Sequence, residues 1–127
     1  IGHSFGGRVV TAAVHADVCP TVESLALLQT AFSHHGFAQK FDQKNDGFFR
    51  SVVTRKKVRG PILVTHTKND KAVGIAYPLA SRVAGQNAAA LGDENDPYGG
   101  LGRNGALPLA AAEVAAPGKL LKPGSAY

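Results

Sequence analysis

Apolar residues recur along this chain in two rhythms. Between Phe5 and Ala16, the residues Val9, Val10, Ala13 and Val14 return at helical spacing, with Arg8, Thr11 and His15 among them. The pattern predicts a helix from about Phe5 to Ala16, stopped around Asp17 and Cys19-Pro20. Val22-Glu23-Ser24-Leu25-Ala26-Leu27-Leu28 then predicts a buried strand. A second apolar run, Ile62-Leu63-Val64-Thr65-His66, opens after Gly60-Pro61. Runs of that kind occur in parallel sheets covered on both faces. The stretch from Thr30 to Gly47 is polar and aromatic without a period and reads as a long excursion loop. Asn45 or Asp46 is expected to cap a short helix bearing Phe48, Phe49, Val52 and Val53, ended by Arg55-Lys56-Lys57.

After the second run, Thr67-Lys68-Asn69-Asp70 makes a polar turn. Ile75, Leu79 and Val83 then lie four apart on a predicted helix, with Pro78 in its first turn and Gly85 as its stop. Helix, strand, helix, strand, helix implies right-handed crossovers and a parallel α/β sheet. Residues 1–85 form the expected core of a single domain spanning 1–127. Beyond Gly85 the composition shifts to Gly, Asn and Asp, and from Ala106 to Ala, Pro and Gly. Low order is expected there, or an element whose partner lies outside the chain.

Composition narrows the function classes. A chain of 127 residues, 44% hydrophobic and 18% charged, has a globular composition. No apolar run approaches the roughly 18 residues of a membrane span. The net charge of +5 is concentrated between Lys40 and Lys71. No interleaved aromatic pattern or nucleic-acid motif accompanies it, so a solvated basic surface is expected, not a nucleic-acid interface. Cys19 is the sole cysteine, which excludes an internal disulfide, and its place before Pro20 suits a small apolar filler.

The chemistry sits at the start. Gly2-His3-Ser4-Phe5-Gly6 matches G-x-S-x-G, a sharp strand-to-helix turn that lifts a serine hydroxyl clear of a sheet. Such a turn is expected to leave no room for side chains at Gly2 and Gly6. It aims the amide of Phe5 at the position of an oxyanion. Gly7 is expected to allow close packing of helix on strand. Downstream, Asp70 follows the strand Ile62 to His66, with Val73 as an anchor for its turn. Ser, then Asp, then His is the chain order of one class of catalytic triad. The carboxylate would orient the imidazole and stabilise its charged form.

With these two motifs, Gly2-His3-Ser4-Phe5-Gly6 and Asn69-Asp70-Lys71-Ala72-Val73, the chain resembles the α/β-hydrolase family over most of residues 1–85. The resemblance implies a partial α/β-hydrolase fold, a parallel sheet with flanking helices. It implies Ser4 as nucleophile, Asp70 as acid and the Phe5 backbone N–H as one oxyanion donor. The excursion, residues 30–60, sits where the family inserts its cap and would line the acyl or leaving-group pocket. The family's second oxyanion donor lies upstream of the elbow, and its histidine follows the acid. No histidine follows His66 here. The chain is therefore expected to be a fragment, inactive alone, of a serine hydrolase acting on a small-molecule ester, thioester or amide. His66 is expected to pack beneath the acid turn, and His3, His15, His34 and His35 to be packing or surface residues. The alternative is a non-catalytic binding or scaffold protein with an incomplete triad.

No cofactor or metal is expected. Gly100-Leu101-Gly102-Arg103-Asn104-Gly105 satisfies G-x-G-x-x-G, but it follows a loop and precedes Leu107-Pro108. A dinucleotide site needs a strand before that pattern and a helix after it. Asp93, Asn95 and Asp96 resemble the opening of a calcium loop, which Pro97 and a missing Glu spoil. Adjacent His34 and His35 lack the spacing of metal ligands.

Overall fold

The computed structural model describes residues 1–18, 20–76 and 99–107. Three short strands, β1 (Gly2–His3), β2 (Leu25–Leu28) and β3 (Ile62–Thr65), form one parallel sheet in the order β1-β2-β3. Leu25 pairs with Ile62 and Leu28 with Thr65, while His3 pairs with Leu28. Helix α1 (Phe5–His15) joins β1 to β2 and packs on both strands. Helix α2 (Arg50–Thr54) precedes β3 and packs against α1. The arrangement is α/β, as the alternation of patterns predicts.

Strand β2 is shorter than its apolar pattern. Val22 bridges Val58 in isolation, and Glu23 and Ser24 are exposed. The break has a local cause. Pro61 has no N–H to give, so the regular ladder opens with the Leu25 N–H on the Pro61 carbonyl at 3.2 Å.

Helix α1 buries a different line from the one its valines suggest. Gly7, Thr11 and Val14 face inward, whereas Val9 is 67% exposed. Burial of Thr11 is possible because its hydroxyl donates to the Gly7 carbonyl at 2.7 Å. The small residues let the helix lie close to the sheet, and the bulkier valine is left on the outer side.

The excursion supplies much of the core. Phe32, Phe37 and Phe49 are buried with Leu25, Leu27 and Leu101 in one cluster. The rings of Phe32 and Phe49 meet edge to face at 4.9 Å, and those of Phe32 and Phe37 at 5.5 Å. Helix α2 begins after Phe49 without a side-chain cap. Of the two expected caps, Asp46 instead accepts the Lys40 N–H at 2.9 Å and closes a turn within the excursion, and the Asn45 side-chain amide donates to Asp42.

The Gly-rich segment differs from the expected low order at 99–107. A short helix, α3 (Leu101–Asn104), packs against β3, and Leu101 is fully buried. The N–H groups of Leu101 and Gly102 reach the carbonyls of Phe32 and Thr30 at 2.8 and 2.9 Å. The Thr67 N–H reaches the Gly102 carbonyl at 3.0 Å. This segment therefore ties the chain leaving β2 to the chain leaving β3. Ala72–Ala76 forms a π-helical turn after the acid turn. The remainder of the predicted helix (Leu79, Val83, Pro78, Gly85), Cys19 and the rest of 86–127 lie outside the described residues.

Candidate functional site

Parallel strands present their carboxyl ends on one side, and loops there gather the groups that meet ligands. Ser4 leaves β1 at that end, Gln29 leaves β2, and His66 leads from β3 to Asp70. Ser4 has φ 52° and ψ −127°, a conformation outside the regions open to ordinary L-residues. Such a backbone costs about 1–3 kcal/mol and persists only where its surroundings enforce it. Here they do. The Ser4 N–H extends the sheet by donating to the Leu28 carbonyl at 3.1 Å. Its own carbonyl accepts from Gly7 at 3.1 Å and from Ala31 at 3.0 Å.

The glycines divide differently from the expectation. A Cβ on Gly2 would stand 2.5 Å from the Cα of Gly7 and 2.6 Å from Val10 Cγ2, and one on Gly7 would overlap the Thr30 side chain. Gly6 has nothing within 4 Å of that position. Steric need therefore falls on Gly2 and Gly7. Gly6 sits on the outer side of α1, away from the sheet, where a side chain meets only open space.

Phe5 opens α1, so its N–H has no partner within the helix, and none is found among the described residues. The Phe5 side chain is 61% exposed. The helix thus starts beside the Ser4 side chain with a free donor and the positive end of its dipole.

Asp70 is half-buried at the end of the turn after β3. Its Oδ1 accepts the Val73 N–H at 2.9 Å, and its carbonyl accepts from Gly74 at 3.0 Å. Val73 is buried, as an anchor of this turn should be. Arg103 of α3 adds a clasp. Its Nη1 donates to the Lys68 carbonyl and lies 3.5 Å from the Asp70 carbonyl. The sequence reading missed Arg103 because its segment has loop composition. Gln29 was missed as well. It has φ 38° and donates from Nε2 to Thr65 Oγ1 at 3.0 Å, linking the ends of β2 and β3.

None of the five histidines hydrogen-bonds Ser4 or Asp70 among the described residues. His3 is exposed. His15 Nδ1 pairs with Ser51 Oγ at 2.8 Å beneath the rings of Phe48 and Phe49. His34 is fully buried, with its Nδ1 3.1 Å from Asn104 Nδ2. His35 Nδ1 lies 2.9 Å from the Leu107 carbonyl, and its ring stacks on Phe41 at 5.1 Å. His66 is exposed, its ring standing over Gly105, and so does not pack beneath the acid turn. Gly105 takes φ 75°, which brings its bare Cα under the ring.

An open pocket of about 220 Å³ lies between α1 and the excursion, with Phe32, Phe41, Phe48, Phe49, Arg8 and His35 in its wall. Ser4 and Asp70 do not line it. Ser4 is nonetheless close along the chain. Its carbonyl holds Ala31, the neighbour of Phe32, and Arg8 lies one helical turn beyond it. Among the described residues, no group of three or more His, Cys, Asp or Glu could hold a metal ion. Among them, too, no helix is long and apolar enough to cross a membrane.

No protein family, characterised protein or solved structure matches this chain.

Proposed function

We propose that the protein carrying this chain is a serine hydrolase of the α/β-hydrolase type, acting on an ester, thioester or amide. The observation that carries the reading is the backbone of Ser4. Ser4 is a non-glycine residue held at φ 52° where a parallel strand passes into a helix. A serine in such a turn has a chemical use, because the turn lifts the hydroxyl from the sheet beside the next N–H, here that of Phe5. Strain of this kind gathers at reactive sites.

In this reading the Ser4 hydroxyl adds to the acyl carbon and passes its proton to an imidazole base. Negative charge gathers on the acyl oxygen, where the Phe5 N–H is one donor. The leaving group departs with the proton held by the base. Water then adds to the acyl-enzyme under the same base and frees Ser4. Asp70 would orient the imidazole and offset its charge. No histidine follows His66, and none of the five histidines hydrogen-bonds Ser4 or Asp70 among the described residues, so no residue of this chain is assigned as the base.

The test is covalent. A fluorophosphonate probe offered to the intact protein is expected to label Ser4, and Ser4→Ala to remove the label. Equal labelling of both proteins would overturn the assignment, as would no labelling of the wild type.

A further inference from the structure

The pocket between α1 and the excursion combines aromatic walls with one cation. Phe32 and Phe49 are buried in its floor, while Phe48 is 75% exposed and Phe41 42% exposed at its rim. Exposed rings around a concavity gain from being covered, since each holds apolar area that water contacts. The rings of Phe48 and Phe49 stand at 86° to each other, with centroids 5.0 Å apart. A planar guest can meet one by its face and the other by its edge. A cavity of roughly 150 Å³ is enough to hold benzene. The open space of about 220 Å³ therefore accommodates one ring with a short substituent.

Arg8 decides the substituent. It is exposed on α1 and makes no ion pair with any described residue, whereas Arg55 pairs with Asp17 and Arg59 with Glu23. No Asp or Glu lines the pocket. A planar guanidinium pairs best with a carboxylate.

We propose that this pocket binds a small aromatic group bearing a carboxylate, its ring among Phe32, Phe48 and Phe49 and its carboxylate on Arg8. The naming of that group as part of the hydrolysed substrate rests on the Ser4 reading, while its binding does not.

The two ideas separate in one experiment. Fluorine NMR titrations of the intact protein would compare 3-(4-fluorophenyl)propanoate with its primary amide, which has the same ring and no charge. The carboxylate is expected to bind about fivefold more tightly, the scale of an exposed ion pair. Added salt should shrink that preference. Arg8→Gln should erase the preference, Arg8→Lys should keep part of it, and Phe48→Ala should weaken both probes. Arg8 and Phe48 are exposed, so these changes leave the core intact. Ser4→Ala should bind both probes as the wild type does. Equal affinities in the wild type, absence of saturable binding, or a preference that survives Arg8→Gln would overturn the proposal. Discrimination without fluorophosphonate labelling would leave the pocket standing and remove the hydrolase. Labelling without discrimination would do the reverse.

Discussion

Two adjacent glycines in α1 should respond oppositely to the same substitution. Gly7→Ala places a methyl group 2.5 Å from Thr30 Cγ2 and 2.8 Å from Thr30 Cβ, and closer still to Oγ1. Thr30 is fully buried, and its hydroxyl has no hydrogen-bond partner among the described residues. Rotation about χ1 gives no escape, because Thr30 Cβ itself would stand 2.8 Å from the methyl group and does not move with χ1. Overpacking of this kind costs about 3 kcal/mol at its upper range, and the better helix propensity of alanine returns about 1 kcal/mol. A net loss of about 2 kcal/mol is expected. Gly6→Ala meets open space and should gain up to about 1 kcal/mol. The pair should therefore differ by about 3 kcal/mol in chemical denaturation of the intact protein at unchanged m-value. Thr30→Ala removes both offending branches, so the double variant Gly7→Ala/Thr30→Ala should recover about 1–2 kcal/mol beyond additivity. Gly7→Ala as stable as Gly6→Ala, or a cycle that closes additively, would refute the claim that α1 is seated on Thr30.

Asp70 should separate fold from chemistry. Asp70→Ala frees the Val73 N–H now bound at 2.9 Å and should cost about 1 kcal/mol in unfolding experiments, as the loss of a cap does. Asp70→Asn keeps an acceptor oxygen and should preserve stability while slowing acylation of Ser4 by roughly three to four orders of magnitude. Wild-type acylation in Asp70→Asn would remove Asp70 from the catalytic role. Asp42, in the excursion, accepts N–H groups from Asn45 and Lys44 and the Asn45 side-chain amide. Those bonds, led by the Asn45 backbone N–H, lower its pKa from the ordinary 3.8 to about 2. A pKa depressed by folding stabilises the turn above about pH 4, and that stabilisation is lost as the pH falls toward 2. A carbon NMR titration of the Asp42 carboxyl should find its midpoint near 2, and a midpoint near 3.8 would show that the turn does not hold in solution.

The elements whose cause is local were legible along the chain. Helix α1 begins at Phe5 because Gly2-His3-Ser4 turns the chain sharply. The apolar runs Leu25 to Leu28 and Ile62 to Val64 can be satisfied only inside a sheet with cover on both faces. Their alternation with helical segments was enough to make the sheet parallel, since right-handed crossovers leave few other routes. Ser4, Phe5 and Asp70 were legible as candidates because an elbow and an acid turn each use residues adjacent in the chain. Tertiary structure decided what depends on distant partners. Thr11 is buried and Val9 exposed because Thr30 and Gly7 fix how closely α1 approaches the sheet. Leu101 and Arg103 looked like loop residues, yet the carbonyls of Thr30 and Phe32 and the turn at Lys68 to Asp70 recruit them as a clasp. The excursion was expected to line a pocket, but nothing in the chain joined Arg8 to the four phenylalanines of its wall. The pocket exists because an aperiodic excursion folds its rings against one face of α1, and contacts between remote segments leave no period for a sequence to display.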